Sequence, residues 1–147
     1  MARAWCLVSA LVLAACNGGD APPLSATDTR IFAPLPGSAM AVAYLTIENR
    51  SGEVIELDFF ESPDFERVEL HETEIQNDTA RMRRLAALTV PPRDEVMLTE
   101  NGKHLMLIGP RGEAGPGRRV KLHIGKSGNV LLVIEVELQG RDAGDSN

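Results

Sequence analysis

Two histidines and two methionines carry the chemistry that this sequence can offer. His71 ends the run Arg67-Val68-Glu69-Leu70-His71, and after the turn-like Asn77-Asp78 the chain resumes as Arg81-Met82-Arg83-Arg84. A hairpin closing around residues 76–78 is predicted to set His71 opposite, or nearly opposite, Met82. Farther on, His104-Leu105-Met106 supplies two more donors. Residues two apart on a strand point the same way, with Cα atoms roughly 6–7 Å apart, so this imidazole and this thioether can lean toward one ion. Leu105 and Leu107 then point into a core.

Donor type narrows the metal further than donor number does. Imidazole and thioether without thiolate or carboxylate favour Cu(I) over zinc, calcium or magnesium. A methionine needs no deprotonation and forms no disulfide, so such a site keeps its ligands in an oxidising compartment. Taken singly, a strand methionine is more often core filler and a histidine more often a hydrogen-bonded surface residue. Convergence of four from two strand pairs is the stronger argument.

The spacing resembles that of a known family. His71, ten intervening residues, Met82, twenty-one intervening residues and His104-Leu105-Met106 are similar to the signature of the periplasmic copper chaperones called PCu(A)C. Ala43-Tyr44-Leu45-Thr46-Ile47-Glu48-Asn49 and Val68-Glu69-Leu70-His71-Glu72 resemble that family too, and the likeness runs over about residues 39–138. Glu72 and Thr73 follow the first histidine where many members carry a methionine, so the resemblance implies the four named donors and no thioether just after His71. It also implies a cupredoxin-like Greek-key fold and a copper-transfer role. The acceptor so implied is the copper centre of cytochrome c oxidase, reached directly or through a Sco-type thiol partner.

Around those residues, length and composition set bounds. The chain has 147 residues, 44% of them hydrophobic, enough for one domain with a real core plus processing or linker segments. Fifteen basic against twenty-one acidic residues give a charge of −6, which argues against nucleic acid as a partner. Residues 1–15 read as a secretory signal: Arg3 is the positive region, and the apolar run after it is too short to span a bilayer. Leu13-Ala14-Ala15-Cys16 resembles a bacterial lipobox, which implies a lipid-bearing N-terminus at Cys16 and a chain held at the periplasmic face of a bacterial membrane. Cys6 is in the segment removed and Cys16 is acylated in this reading, so the folded part has no thiol. A blue-copper centre and a CxxC chemistry are thereby excluded on residue supply.

Residues 16–29 are rich in Gly, Pro, Ser, Thr and Asp and are expected to form a flexible tether. The domain is expected over residues 30–138 and a disordered tail over residues 139–147. Within the domain, residues 40–48 place Met40, Val42 and Tyr44 on one face and Ala43, Leu45 and Ile47 on the other, an interior strand. Met40 could add a thioether to the metal site, but core packing is the expectation for it and for Met97, and His123 is expected to face solvent. Short strands separated by Gly/Pro/Asn/Asp turns, with no helical periodicity, predict an all-β fold, an antiparallel β-sandwich. The favoured function is a copper chaperone with His71, Met82, His104 and Met106 as ligands. No nucleophile, oxyanion site or cofactor loop is legible, so no enzyme is expected. The rival is an envelope lipoprotein whose sandwich serves a structural or interaction role without metal.

Overall fold

The computed structural model describes residues 22–76 and 79–141. The signal segment, Cys16, most of the tether, the Asn77-Asp78 turn and residues 142–147 lie outside them. Eleven strands and no helix occur among the described residues: β1 (Leu24–Phe32), β2 (Met40–Asn49), β3 (Ile55–Leu57), β4 (Phe59–Glu61), β5 (Phe65–Gln76), β6 (Thr79–Arg84), β7 (Leu88–Val90), β8 (Asp94–Leu98), β9 (Lys103–Pro110), β10 (Arg119–Lys126) and β11 (Asn129–Gln139).

The main sheet runs β4-β10-β11-β1-β2-β9-β5-β6, with β8 added to β2, and β3 and β7 form a small second sheet. Alternation explains which side of each strand is covered. Ala41, Ala43, Leu45 and Ile47 of β2, Leu105 and Leu107 of β9, and Val68 and Leu70 of β5 all face one core. Val120, Leu122 and Ile124 of β10 join the same cluster, as do Leu57, Leu88 and Val90 of the small sheet. The all-β sandwich expected from the turn spacing is therefore the fold.

Four details depart from the sequence reading. The first strand begins at Leu24, which is 1% exposed, so residues 24–29 belong to the sheet and not to a tether. Polar residues misled here because β1 presents Thr27 and Asp28 outward while Leu24 and Ile31 fill the core. β1 pairs with β11 in parallel, Ile31 beside Leu138, so the sheet is mixed. The apolar run over residues 54–60, which alone reads as one strand, splits at Asp58, whose amide N–H donates to the Gly125 carbonyl and whose carboxylate accepts from the Ser127 amide. β3 and β4 consequently enter different sheets. Finally, Gln139 closes β11 and so belongs to the sheet, not to the tail.

Pairing along β2 is what shapes the region of interest. Met40 to Ala43 pair with β9, whereas Leu45 to Asn49 pair with β8. The change of partner falls at Tyr44, and the turn that joins β8 to β9 lies beside it.

Candidate functional site

The face of the sheet turned away from the core gathers the four candidate donors. On β5 and β9, His71 pairs with His104 and Glu69 with Met106. On β2 and β9, Val42 pairs with Met106 and Met40 with Ile108. On β5 and β6, Thr73 pairs with Met82 and His71 with Arg84. Met82 is thus not directly opposite His71. It lies one diagonal step away on the same face, a neighbour still within reach of a long side chain. The core faces of the same strands hold Leu70 and Leu105, neither more than 1% exposed, which fixes the orientation of His71, His104 and Met106.

The two imidazoles lie side by side, with ring centroids 6.1 Å apart and planes inclined by 27°. His104 is 3% exposed, and the Tyr44 ring meets it edge-on with centroids 6.4 Å apart. Each histidine has one nitrogen held by an acceptor. His71 Nε2 is 3.0 Å from Glu69 Oε2, and His104 Nδ1 is 3.2 Å from the Gly102 carbonyl. The Gly102 carbonyl also accepts the Thr73 amide N–H at 3.0 Å, tying the β8–β9 turn to β5.

These contacts determine the tautomers. Glu69 is held below the ordinary carboxylate range, first by its hydrogen bond from His71 and then by the nearby Arg84 and Arg67 charges, with burial opposing them. An ionised carboxylate and a carbonyl can only accept, so His71 Nε2 and His104 Nδ1 carry the protons. The nitrogens left over for another partner are His71 Nδ1 and His104 Nε2. His71 Nδ1 is buried and has no hydrogen-bond partner. Burial, with a smaller contribution from His71, pushes the His104 pKa below its ordinary value of 6.5, against the Gly102 carbonyl, which works to raise it. This keeps His104 neutral near pH 7.

A cavity of about 360 Å³ opens on this face and is lined by Met40, Tyr44, Thr73, Met82, His104 and Met106, among others. His71 is not part of its wall and joins the group through its ring contact with His104. Met82 is 53% exposed on β6, an edge strand, and Met40 is 50% exposed. Met40 is therefore not the core residue expected. It falls at the outward end of the alternation that buries Ala41 and Ala43. Met97 is exposed as well, for the same reason of phase on β8, and His123 lies on the outward face of β10 as expected, half-buried between Glu61 and Val133. Glu69 and Gly102 were missed as participants. Glu69 stands two residues before His71 on the same strand, so period two would have found it, whereas Gly102 acts through a turn carbonyl that side-chain alternation does not reveal.

Among the described residues, no group of three or more His, Cys, Asp or Glu could hold a metal ion.

The family model for LpqE-like lipoproteins matches residues 24–136. No curated protein sequence matches the chain. Among solved structures, the copper-bound PCuAC domain from PmoF2 superposes with a TM-score of 0.65 at 19% identity, covering 81% of this chain and 94% of that one. The Cu(I) form of DR1885 from Deinococcus radiodurans superposes with a TM-score of 0.62 at 25% identity, covering 84% of this chain and 83% of that one. Its apo form gives a TM-score of 0.59 at 22% identity, over 96% and 95% of the two chains. The chain belongs to the LpqE-like lipoprotein family, and its sandwich is the fold of the PCu(A)C copper-chaperone domains.

Proposed function

We infer that this protein is a copper chaperone that holds Cu(I) with His71 Nδ1, His104 Nε2 and the sulfurs of Met82 and Met106. The observation that carries this reading is the pair of neighbouring imidazoles, each with one nitrogen held by an acceptor within the chain, on the strand face that also bears the two thioethers. A histidine whose second nitrogen donates to a carboxylate or a carbonyl is the usual arrangement around a bound metal, because the outer contact sets the tautomer and the ring orientation. With metal–nitrogen bonds of roughly 2 Å, rings this close can share an ion through side-chain rotation alone. The copper-bound PCuAC domain and the Cu(I) form of DR1885, both of the same fold, support the choice of metal.

Four neutral donors leave the ion's positive charge on the site, and thioether bonds are individually weak. Such a site retains Cu(I) and yields it to a stronger ligand by exchange, with no change in oxidation state. In this reading the acceptor is the copper centre of cytochrome c oxidase, directly or through a Sco-type thiol protein. Cys16 carries the lipid that keeps the domain at the periplasmic face of the membrane.

The test is an anaerobic titration with Cu(I) against a competing chelator, followed by X-ray absorption of the loaded protein. One equivalent bound with both nitrogen and sulfur neighbours is expected. Absence of binding, or a shell without sulfur, overturns the assignment. Palmitate labelling that disappears in Cys16→Ala checks the anchor.

A further inference from the structure

We propose that Met40 is an auxiliary copper ligand at the mouth of the site, a thioether that takes hold of the ion during exchange and lets go of it at rest. This rests on the reading of the site as a Cu(I) carrier.

Three observations place Met40 in that role. First, it shares one cavity wall with Met82, His104 and Met106. Opposite Ile108 in the β2–β9 register, it is the diagonal neighbour of Met106 on the same face, so its flexible side chain can reach the ion that Met106 holds. Second, it is half-exposed at 50%, unlike the adjacent Ala41, which is 1% exposed. A large apolar side chain left at a cavity rim contributes little to the core, whereas a thioether there is accessible to an ion entering or leaving. Third, its backbone is anchored. The Met40 amide N–H donates to Ser38 Oγ at 3.2 Å, and the Gly109 amide N–H donates to the Ala39 carbonyl at 2.9 Å. The sulfur therefore swings from a fixed point.

Met82 and Met40 approach the cavity from opposite sides of the β9–β5 pair, one from β6 and one from β2. In the exchange step a bond from Met40 sulfur to Cu(I) forms and the bond to Met82 sulfur breaks. The ion keeps its number of donors and its charge, both sulfurs remain neutral thioethers, and no electron or proton moves. An incoming ligand can then attack on the side that Met82 has left. A transient ligand of this kind lowers the barrier in both directions and leaves the equilibrium affinity nearly unchanged.

The experiment compares wild type, Met40→Leu and Met97→Leu, each loaded with Cu(I). Two quantities are read: equilibrium affinity by competition, and the rate of copper removal by a water-soluble bicinchoninate chelator in stopped flow. Met97, exposed on β8 and not in this cavity wall, is the control. Met40→Leu is expected to slow removal by roughly tenfold, with affinity within about twofold of wild type, and Met97→Leu to change neither. Removal as fast as wild type overturns the proposal, because the thioether then has no part in exchange. An affinity loss as large as that of Met106→Leu also overturns it, because Met40 is then a resident ligand. Wild type that takes up no Cu(I) instead brings down the functional reading beneath it, which separates the two failures.

Discussion

His71 and His104 occupy directly paired positions on adjacent antiparallel strands, and their ring centroids lie 6.1 Å apart while each ring is fastened at one nitrogen by a different element. Glu69 on β5 fastens one, and Gly102 in the β8–β9 turn fastens the other. Ring orientation is therefore set by hydrogen bonds within the chain.

Substituting the thioethers separates binding from folding. Met82→Leu and Met106→Leu nearly conserve volume, so stability should change by less than about 1.5 kcal/mol, and by less for the exposed Met82. Copper affinity should fall by at least roughly tenfold, about 1.4 kcal/mol. Competition titration and thermal unfolding of the same samples check both halves. Variants that unfold early and bind copper normally would mean that these methionines are packing residues.

Glu69→Gln tests the outer contact. The amide can still meet His71 Nε2, but it no longer obliges that nitrogen to be the donor, and it gives up the ion pairs with Arg67 and Arg84 at 3.3 and 3.5 Å. Copper affinity is expected to drop about 10–100-fold, the usual cost of losing an outer-shell partner. Nitrogen-15 shifts of the His71 ring, read without metal, should show a mixed tautomer in the variant and a single one in wild type.

Acid should weaken the metal-free fold as well as the site. His104 in the folded chain has a pKa below 6.5, so the unfolded chain takes up this proton first as the pH drops. The stability linked to His104 is fully present above 6.5 and is lost as the pH falls from there to the lower folded value, beyond which the loss levels off. Urea midpoints measured at about pH 7.5 and about pH 5 should show this, and His104→Gln should flatten the slope. An unchanged slope in that variant would assign the pH dependence to other groups.

Leu105→Ala is the structural counterpart of the donor variants. Leu105 is 0% exposed and lies between His104 and Met106 on the opposite face of β9. Truncation should cost about 2–5 kcal/mol by the loss of buried surface and the cavity left behind. Urea unfolding reads the cost directly, and a loss below about 1 kcal/mol would contradict the packing described.

How much of this was legible beforehand depended on periodicity. The pattern His104-Leu105-Met106, with Leu107 after it, fixed donors on one side and core on the other, and β9 has that alternation. The fold class followed from turns and short apolar runs. What could not be read was register between distant strands. Two residues of shift separate the expected partner of His71 from the observed Arg84, and hairpin pairing is set by a turn whose length local sequence leaves open. Met40 was misjudged because both faces of β2 are apolar, and sequence alone does not say which face a second layer covers. The end of the tether was hidden by the polar outward residues of β1, whose strand is held by partners far along the chain.

That parallel union of β1 with β11 ties the opening of the domain to its final strand through Ile31 and Leu138 and through the Ala33 amide bonded to the Gln139 carbonyl. The sheet cannot close until β11 has been made, and contacts between such remote segments are slow to form. A product cut short before β11 leaves the long sides of β1 and β10 bare, ready to pair with other chains. Completion of this sheet therefore falls on β11, far in sequence from the four side chains of the proposed copper site.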